Sequence, residues 1–265
     1  MGATILKQNQ GNKILRQNQG GKILKSNYNF GKAFKPSSSI YIQTLPYNFT
    51  AQPSVELWVN QIGSPGNVGY FRMVYSTGEV YGLGAFNLEP RGGRIGDIPE
   101  LRNGNAATQF VHLVLRSDST VLKRFMANNY PSVSGTGADT MPGLVNVMQI
   151  GRGISSLSND NRSTERPIAL VRIYDRTLTD AEIAYQYNLG LGNEALYTTS
   201  LTHEFKMQKA EILDFSAAQD GSDMRVGVRN FGSVVNGHGE IIGLPAGTLQ
   251  EQVDWANANL FVNFL

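Results

Sequence analysis

Residues 168–188 constrain this chain more than any other stretch, because they join an apolar strand to a capped helix through a short turn. Ile168, Leu170, Ile173 and Tyr174 are the bulky side chains that favour an extended, half-buried backbone. Asp175-Arg176 opens the turn. Thr179 then stands three residues before Glu182, the spacing of a capping box that satisfies the first free amides of a helix. Ile183 and Tyr187 follow at i, i+4 spacing on one face, and Gly190 supplies a stop.

Around this unit, 29 glycines and 10 prolines in 265 residues fit short strands joined by turns, so the class is mainly β. The length allows one large sandwich with additions or two small domains. Strand candidates fall at 38–42, 55–59, 69–75, 79–86, 110–116, 120–127, 146–151 and 168–174, a spacing that suits two packed sheets. Residues 87–107 and 154–166 are rich in glycine, arginine and polar side chains and are expected as rim loops, where ligands are met.

Four stretches fall in the order of a known family. Residues 168–188 resemble the closing strand and helical turn of the concanavalin A-like jelly roll in its laminin-G-like branch. Residues 49–59, with Trp58, resemble its early core strand; 109–116 resemble the strand before its central hairpin; 147–152 resemble its late strand ending in Ile150-Gly151. The resemblance implies an all-β, concanavalin A-like jelly-roll β-sandwich, here with an extended repetitive N-terminal arm and a short C-terminal helix. Residues 201–205 and 228–241 resemble the family's opening segment, in which an aromatic strand leads to an Asp-x-Ser-Gly-Asn-Gly-x-His-Gly turn. In this chain the segment comes last, with Asn230 in place of the Asp and Val234-Val235 in place of a Gly-Asn pair. Permuted order, or exchange of strands with a neighbouring copy, accounts for that placement.

The expected organisation is an arm over 1–36, a sandwich over 37–247 with 201–247 permuted or exchanged, and a helix with an apolar tail over 248–265. The arm repeats every nine residues, at Ile5-Leu6, Ile14-Leu15 and Ile23-Leu24, each pair followed by a base, amides and, in the first two copies, a glycine turn. One such unit buries almost nothing, so stacking or a partner must supply the missing surface. The bland alternative is a solvated tail. At the other end Thr248 and Glu251 form a second capping box, and Val253, Ala256 and Leu260 share one helix face. The chain closes on Phe261, Val262, Phe264 and Leu265, which are expected on a partner or on the domain itself. Ile5, Leu6, Ile14, Leu15, Ile23, Leu24, Phe261 and Phe264 are therefore the candidate oligomerisation or anchoring residues.

Composition excludes several chemistries. With no cysteine there is no disulfide, thiolate zinc site or cysteine nucleophile. The net charge of +2 is small and the bases are dispersed outside the acid-free arm, so no nucleic-acid partner is expected. No stretch is apolar enough for a secretion signal or a membrane span, so export by the general secretory route is not expected. Glycosidases of the resembled superfamily place paired carboxylates along one strand; Glu56, Glu79 and Glu204 each lack such a partner in sequence and are read as solvent-facing or structural acceptors. His112, on an apolar strand, is read as a satisfied core residue. Calcium at the rim, as the resemblance implies for several relatives, would use Asp160, Asp220 and Asp223, although turns use the same residue types. Tyr81, Phe86 and Tyr130 are candidate sugar-stacking rings, with core packing as the competing role.

Together these readings predict a non-enzymatic virion component without an obligatory cofactor, a capsid-decorating or fibre protein of a tailed phage. The segment 237–245 is similar to jelly rolls of phage structural proteins. The arm would hold other virion proteins or further copies of the chain, a trimer among them, and the sandwich would face host-surface glycans from the virion surface. A soluble carbohydrate-binding lectin is the alternative, and a glycoside hydrolase a weaker one.

Overall fold

The computed structural model describes residues 16–17, 23–24, 30–60, 68–86, 89–94, 110–117, 122–127, 133–136, 143–153, 162–163, 165–188, 192–193, 195, 200–217 and 220–263. Ile5, Leu6, Ile14, Leu15, Tyr130, Asp160 and Phe264 lie outside them.

In chain order the strands are β1 (Arg16–Gln17), β2 (Ile23–Leu24), β3 (Lys32–Phe34), β4 (Tyr41–Thr44), β5 (Tyr47–Phe49), β6 (Ser54–Asn60), β7 (Val68–Tyr75), β8 (Val80–Phe86), β9 (Glu89–Arg94) and β10 (Phe110–Ser117). They continue with β11 (Leu122–Ala127), β12 (Val133–Thr136), β13 (Gly143–Ile150), β14 (Arg152–Gly153), β15 (Arg162–Ser163) and β16 (Ile168–Tyr174). Helix α1 (Asp180–Tyr187) follows, then β17 (Leu201–Lys206), β18 (Glu211–Asp214), β19 (Met224–Val228), β20 (Gly239–Ile242), helix α2 (Leu249–Asn259) and β21 (Phe261–Asn263).

Among the described residues two large antiparallel sheets form. One runs β12-β11-β10-β6-β16-β3-β21, with β17 also paired to β16; the other runs β18-β19-β20-β4-β13-β7-β8-β9, with β5 also paired to β13. Side chains alternate across each strand, and the inward set fills one core. Val55, Leu57 and Val59, Val111, Leu113 and Leu115, and Val171 and Ile173 come from the first sheet. Ile42, Phe71, Met73, Leu83, Met148 and Ile150 meet them from the second. The fold class expected from the sequence is the one observed.

Residues 201–242 complete both sheets within this chain. Strand β17 pairs with the closing strand β16, and β20 pairs with β4. The ends of the sandwich differ from the expected boundaries. Phe30 is buried against Trp58 with ring centroids 4.9 Å apart, and Phe34 is fully buried, so the sandwich begins within the stretch assigned to the arm. At the far end β21 pairs with β3, Phe261 opposite Phe34, and the Leu260 carbonyl accepts from the Lys35 amide at 2.7 Å. Phe261 is thus buried on its own sheet, a correction to its expected intermolecular role: its strand pairs with β3, which would otherwise be an open edge. In the arm, β1 and β2 pair as a short antiparallel ribbon, Gln17 opposite Ile23 and Arg16 opposite Leu24.

Both helices begin as their sequences predict. Thr179 and Glu182, and likewise Thr248 and Glu251, exchange side-chain and backbone hydrogen bonds in full capping boxes. Asn188 ends α1 in the left-handed conformation, φ 45°, earlier than Gly190.

Candidate functional site

The two sheets treat their outer faces differently. On the first sheet that face is covered by α1, with Asn193 and Ala195 beside it, and its polar side chains are locked together. Arg172 stands opposite Glu56 on β6 and opposite Glu204 on β17. Its Nε–H donates to Glu204 at 2.9 Å, Nη1 reaches Glu56 at 3.4 Å, and Nη2 donates to the Asn193 carbonyl at 2.9 Å. His112 meets Glu56 at 3.2 Å from the other side. Burial works against ionisation of Glu56, yet the charge of Arg172 and the hydrogen bond from His112 hold its carboxyl below the usual range. Glu56 and Glu204 are buried and bracket a guanidinium, so of the two roles read from the sequence, solvent-facing or structural acceptor, the second is the one found.

The second sheet carries a polar row on its outer face, in which Gln43, Arg72 and Glu240 are half-buried and Gln149 between them is 6 % exposed. The register sets Glu240 of β20 opposite Gln43 of β4, Gln43 opposite Gln149 of β13, and Gln149 opposite Arg72 of β7. The side chains of Gln43, Gln149 and Arg72 are joined in the same order. Arg72 Nε–H donates to Gln149 Oε1 at 2.6 Å, and Gln149 Nε2–H donates to Gln43 Oε1 at 2.9 Å. Arg225 caps the Glu240 end at 2.8 Å. Beyond Arg72 the row continues through Gly82 and Gly93, positions with no side chain. A Cβ on Gly82 would stand 2.3 Å from the Phe71 carbonyl, so only glycine lets β8 approach β7 this closely.

At the Arg72 end a second cation enters from β14. Gly151 turns the chain there with φ +92°, and a Cβ on it would meet Pro36 at 2.5 Å. The turn lays the Arg152 guanidinium over the Tyr41 ring, 3.9 Å from its centroid. Burial, and then the charge of Arg152, lower the pKa of Arg72. At the Glu240 end a groove of about 270 Å³ opens between β19, β20 and the start of α2, lined by Met224, Arg225, Ile242, Leu244, Leu249 and Gln252 among others. From β19 to β7 the face spans four interstrand spacings, roughly 19 Å. Amides, a carboxylate and guanidinium groups in a line are donors and acceptors suited to a hydroxyl-rich ligand.

The sequence-predicted site residues are not gathered here. Tyr81 points inward with Leu83 and is 1 % exposed, which removes it as a sugar-stacking ring. Its strand alternates with Gly82 and Gly84, so no polar position marked which face was outward. Phe86 closes β8 in backbone terms. Asp223 is held bidentate by Arg225, at 2.8 Å to each oxygen, and Asp220 accepts from the Ser222 amide at 2.9 Å. These carboxylates close a turn, and among the described residues no three His, Cys, Asp or Glu side chains converge as metal ligands. Gln43, Arg72, Gln149 and Arg152 were missed. A signal existed for two of them: Arg72 and Gln149 are each a polar residue set between apolar neighbours in a strand, in Phe71-Arg72-Met73 and Met148-Gln149-Ile150.

Neither a family model nor a curated protein matches the sequence. Among solved structures, 86% of the chain superposes on 64% of a Bacteroides ovatus protein proposed to bind carbohydrate, with TM-score 0.56 and 12% identity. The chain therefore spans about two thirds of that protein's length. A SAP-like pentraxin from Limulus polyphemus matches at TM-score 0.36 and 13% identity, over 58% of this chain and 79% of that one. Domain 4 of an extracellular arabinanase from Geobacillus stearothermophilus, in complex with arabinotriose, matches at TM-score 0.37 and 17% identity, over 69% and 82%. What the chain shares with the Bacteroides ovatus protein is the fold, an all-β, jelly-roll-like sandwich of two antiparallel sheets.

Proposed function

We propose that the chain is a carbohydrate-binding module whose ligand lies along the outer face of the second sheet. The observation that carries this reading is the hydrogen-bonded run Arg72–Gln149–Gln43, continued in register by Glu240, whose ends stay half-exposed on the outer face while the charges of the first sheet are sealed. A sheet stabilised for its own sake would cover such a row or replace it with apolar side chains. The likeness to a Bacteroides ovatus protein proposed to bind carbohydrate points the same way. The module binds without cleaving, since its buried acids Glu56 and Glu204 are engaged by one arginine away from the groove.

Glycan recognition replaces virion decoration as the primary reading. An assembly role belongs to the arm alone, where the antiparallel pairing of β1 with β2 fits a repeat that forms short strands. Placement on a virion surface, with further copies or virion proteins held by that arm, is a setting for the module and not its chemistry.

A glycan array followed by calorimetry tests the reading. Binding of at least one oligosaccharide is expected, and Gln149→Ala should weaken it by about tenfold, the value of roughly one to two hydrogen bonds. Wild-type protein that binds no glycan, or a Gln149→Ala variant with unchanged affinity, contradicts it.

A further inference from the structure

We propose that the groove between β19, β20 and the start of α2 is a docking surface for the N-terminal arm of a second copy of this chain. The inference does not use the glycan reading, which concerns the polar row, and it gives the repeat of the arm a seat.

The groove combines an apolar lining with an acidic border. Met224 and Leu249 both line it and are 40% and 37% exposed, with Leu244 beside them and the buried Val226 and Ile241 completing the lining. Large apolar side chains gathered in one groove and left in water mark a surface that a partner covers. The acids come from two directions. Asp214 stands opposite Met224 in the β18–β19 register, and in the turn that carries Asp220 a Cβ on Gly221 would lie 3.8 Å from the Met224 sulfur. Glu251 lies in the first turn of α2, between Leu249 and Gln252 of the lining. Local amides hold these carboxylates: Ser216 and Gly221 donate to Asp214, Ser222 to Asp220 and Thr248 to Glu251. Among the described residues no lysine or arginine is paired with any of the three, so their charge is unmatched within the fold.

The arm has the complementary make-up. Residues 1–35 carry seven Lys or Arg and no acid, whereas residues 210–265 carry seven Asp or Glu and two Arg. Within the arm each Ile-Leu pair is followed at once by a base, Lys7, Arg16 or Lys25. Two aliphatic side chains and a cation match an apolar groove with an anionic border, the usual division of an interface into greasy centre and polar rim. The groove holds about 270 Å³, just under the roughly 300–1,000 Å³ of small-ligand pockets, which suits one such unit as an anchor. Each chain offers this groove once and the unit three times. One arm therefore carries more units than its own molecule can seat here, and the surplus fits the grooves of other copies. Arm-to-groove contact is heterologous, so it links copies head to tail.

Thiol trapping tests this, because the chain has no cysteine and an introduced thiol is unique. Full-length Leu249→Cys protein is mixed with full-length Ile5→Cys, Ile14→Cys or Ile23→Cys protein under mild oxidation, and covalent heterodimers are read on a non-reducing gel. Val235→Cys, at an apolar position 65% exposed and outside the groove, replaces Leu249→Cys as the control. At least one arm position should give about tenfold more heterodimer with Leu249→Cys than with the control. Reversing the base after the trapped pair, by Lys7→Glu, Arg16→Glu or Lys25→Glu, should lower that yield about fivefold, and about 1 M salt should do the same. Adding Met224→Lys to the groove chain should also lower it, with circular dichroism confirming the fold; the arm variants decide the matter if that chain does not fold. Yields equal to the control at all three positions, or unmoved by charge reversal, overturn the docking surface. A disulfide found only within monomers of a chain carrying both thiols, with no heterodimer in the mixtures, overturns the second copy as occupant and seats the arm on its own molecule. Neither result bears on the glycan reading, which the glycan array tests separately.

Discussion

Asn230 shows how one side chain can fix a fold-defining turn. Its Oδ1 accepts from the Glu204 and Gly232 amides, both at 2.8 Å, while Nδ2 donates to the carbonyls of Val234 at 3.1 Å and Thr202 at 3.3 Å. Its own amide donates to His238 Nδ1 at 3.1 Å. Every polar atom of the side chain is used, and the two donors explain why an amide stands where the resembled turn has an acid. A carboxylate would set an oxygen against two carbonyls. Asn230→Asp should therefore destabilise the protein by about 1–3 kcal/mol at neutral pH, the cost of two lost donors. Urea denaturation measures this, and unchanged stability would mean the turn does not depend on the amide.

At the level of elements, α1 acts as the lid of the buried charges on the first sheet. Gln186 donates to the Tyr174 hydroxyl at 2.7 Å, and Tyr187 stacks on Trp58 and His112, with centroids 6.3 and 5.9 Å away. The start of α1 is held doubly. Glu182 closes the capping box with Thr179 and receives both terminal nitrogens of Arg176, at 2.8 and 3.0 Å. Those contacts outweigh the modest burial of Glu182 and hold its carboxyl below the usual range. Thr179→Ala should cost about 1 kcal/mol, as for other N-caps. Glu182→Ala should cost more, because it removes the cap and the Arg176 pair together; an order reversed in chemical denaturation would show that the box contributes less than the packing below it. The strand–turn–helix unit was legible in sequence because its signals are local. The row of Gln43, Gln149 and Arg72 was not, because its partners are 106 and 77 residues apart and only the register aligns them.

For the whole molecule, two buried groups give stability the same dependence on acid. Burial pushes His203 down to about 3, from 6.5 in the open chain. The unfolded chain therefore takes up a proton as pH falls below 6.5 while the folded one does not, and stability declines through that window down to about pH 3. Glu56, held below 4.5 in the fold, adds a loss that begins only under pH 4.5. Between pH 6.5 and 4.5 His203 contributes about 2–3 kcal/mol, at roughly 1.4 kcal/mol per pH unit, and the half-buried His238, lowered by burial and then by Arg229, adds to the same slope. His203→Phe, which keeps an aromatic ring against Tyr47, should flatten the thermal stability profile in that interval and leave the drop below it. A slope unchanged from wild type would exclude His203 as its cause. The sequence by itself determined the class of fold, both capped helices and the sheet-forming segments, since alternation, capping and turn chemistry are properties of a few adjacent residues. Tertiary structure alone decided that Tyr81 and Phe261 face inward, that Glu56 is sealed while Gln43 and Arg72 stay half-buried on an outer face, and that Arg152 comes to rest on the Tyr41 ring. Face and register are set by which distant strands pair, and that choice minimises the free energy of the whole core at once.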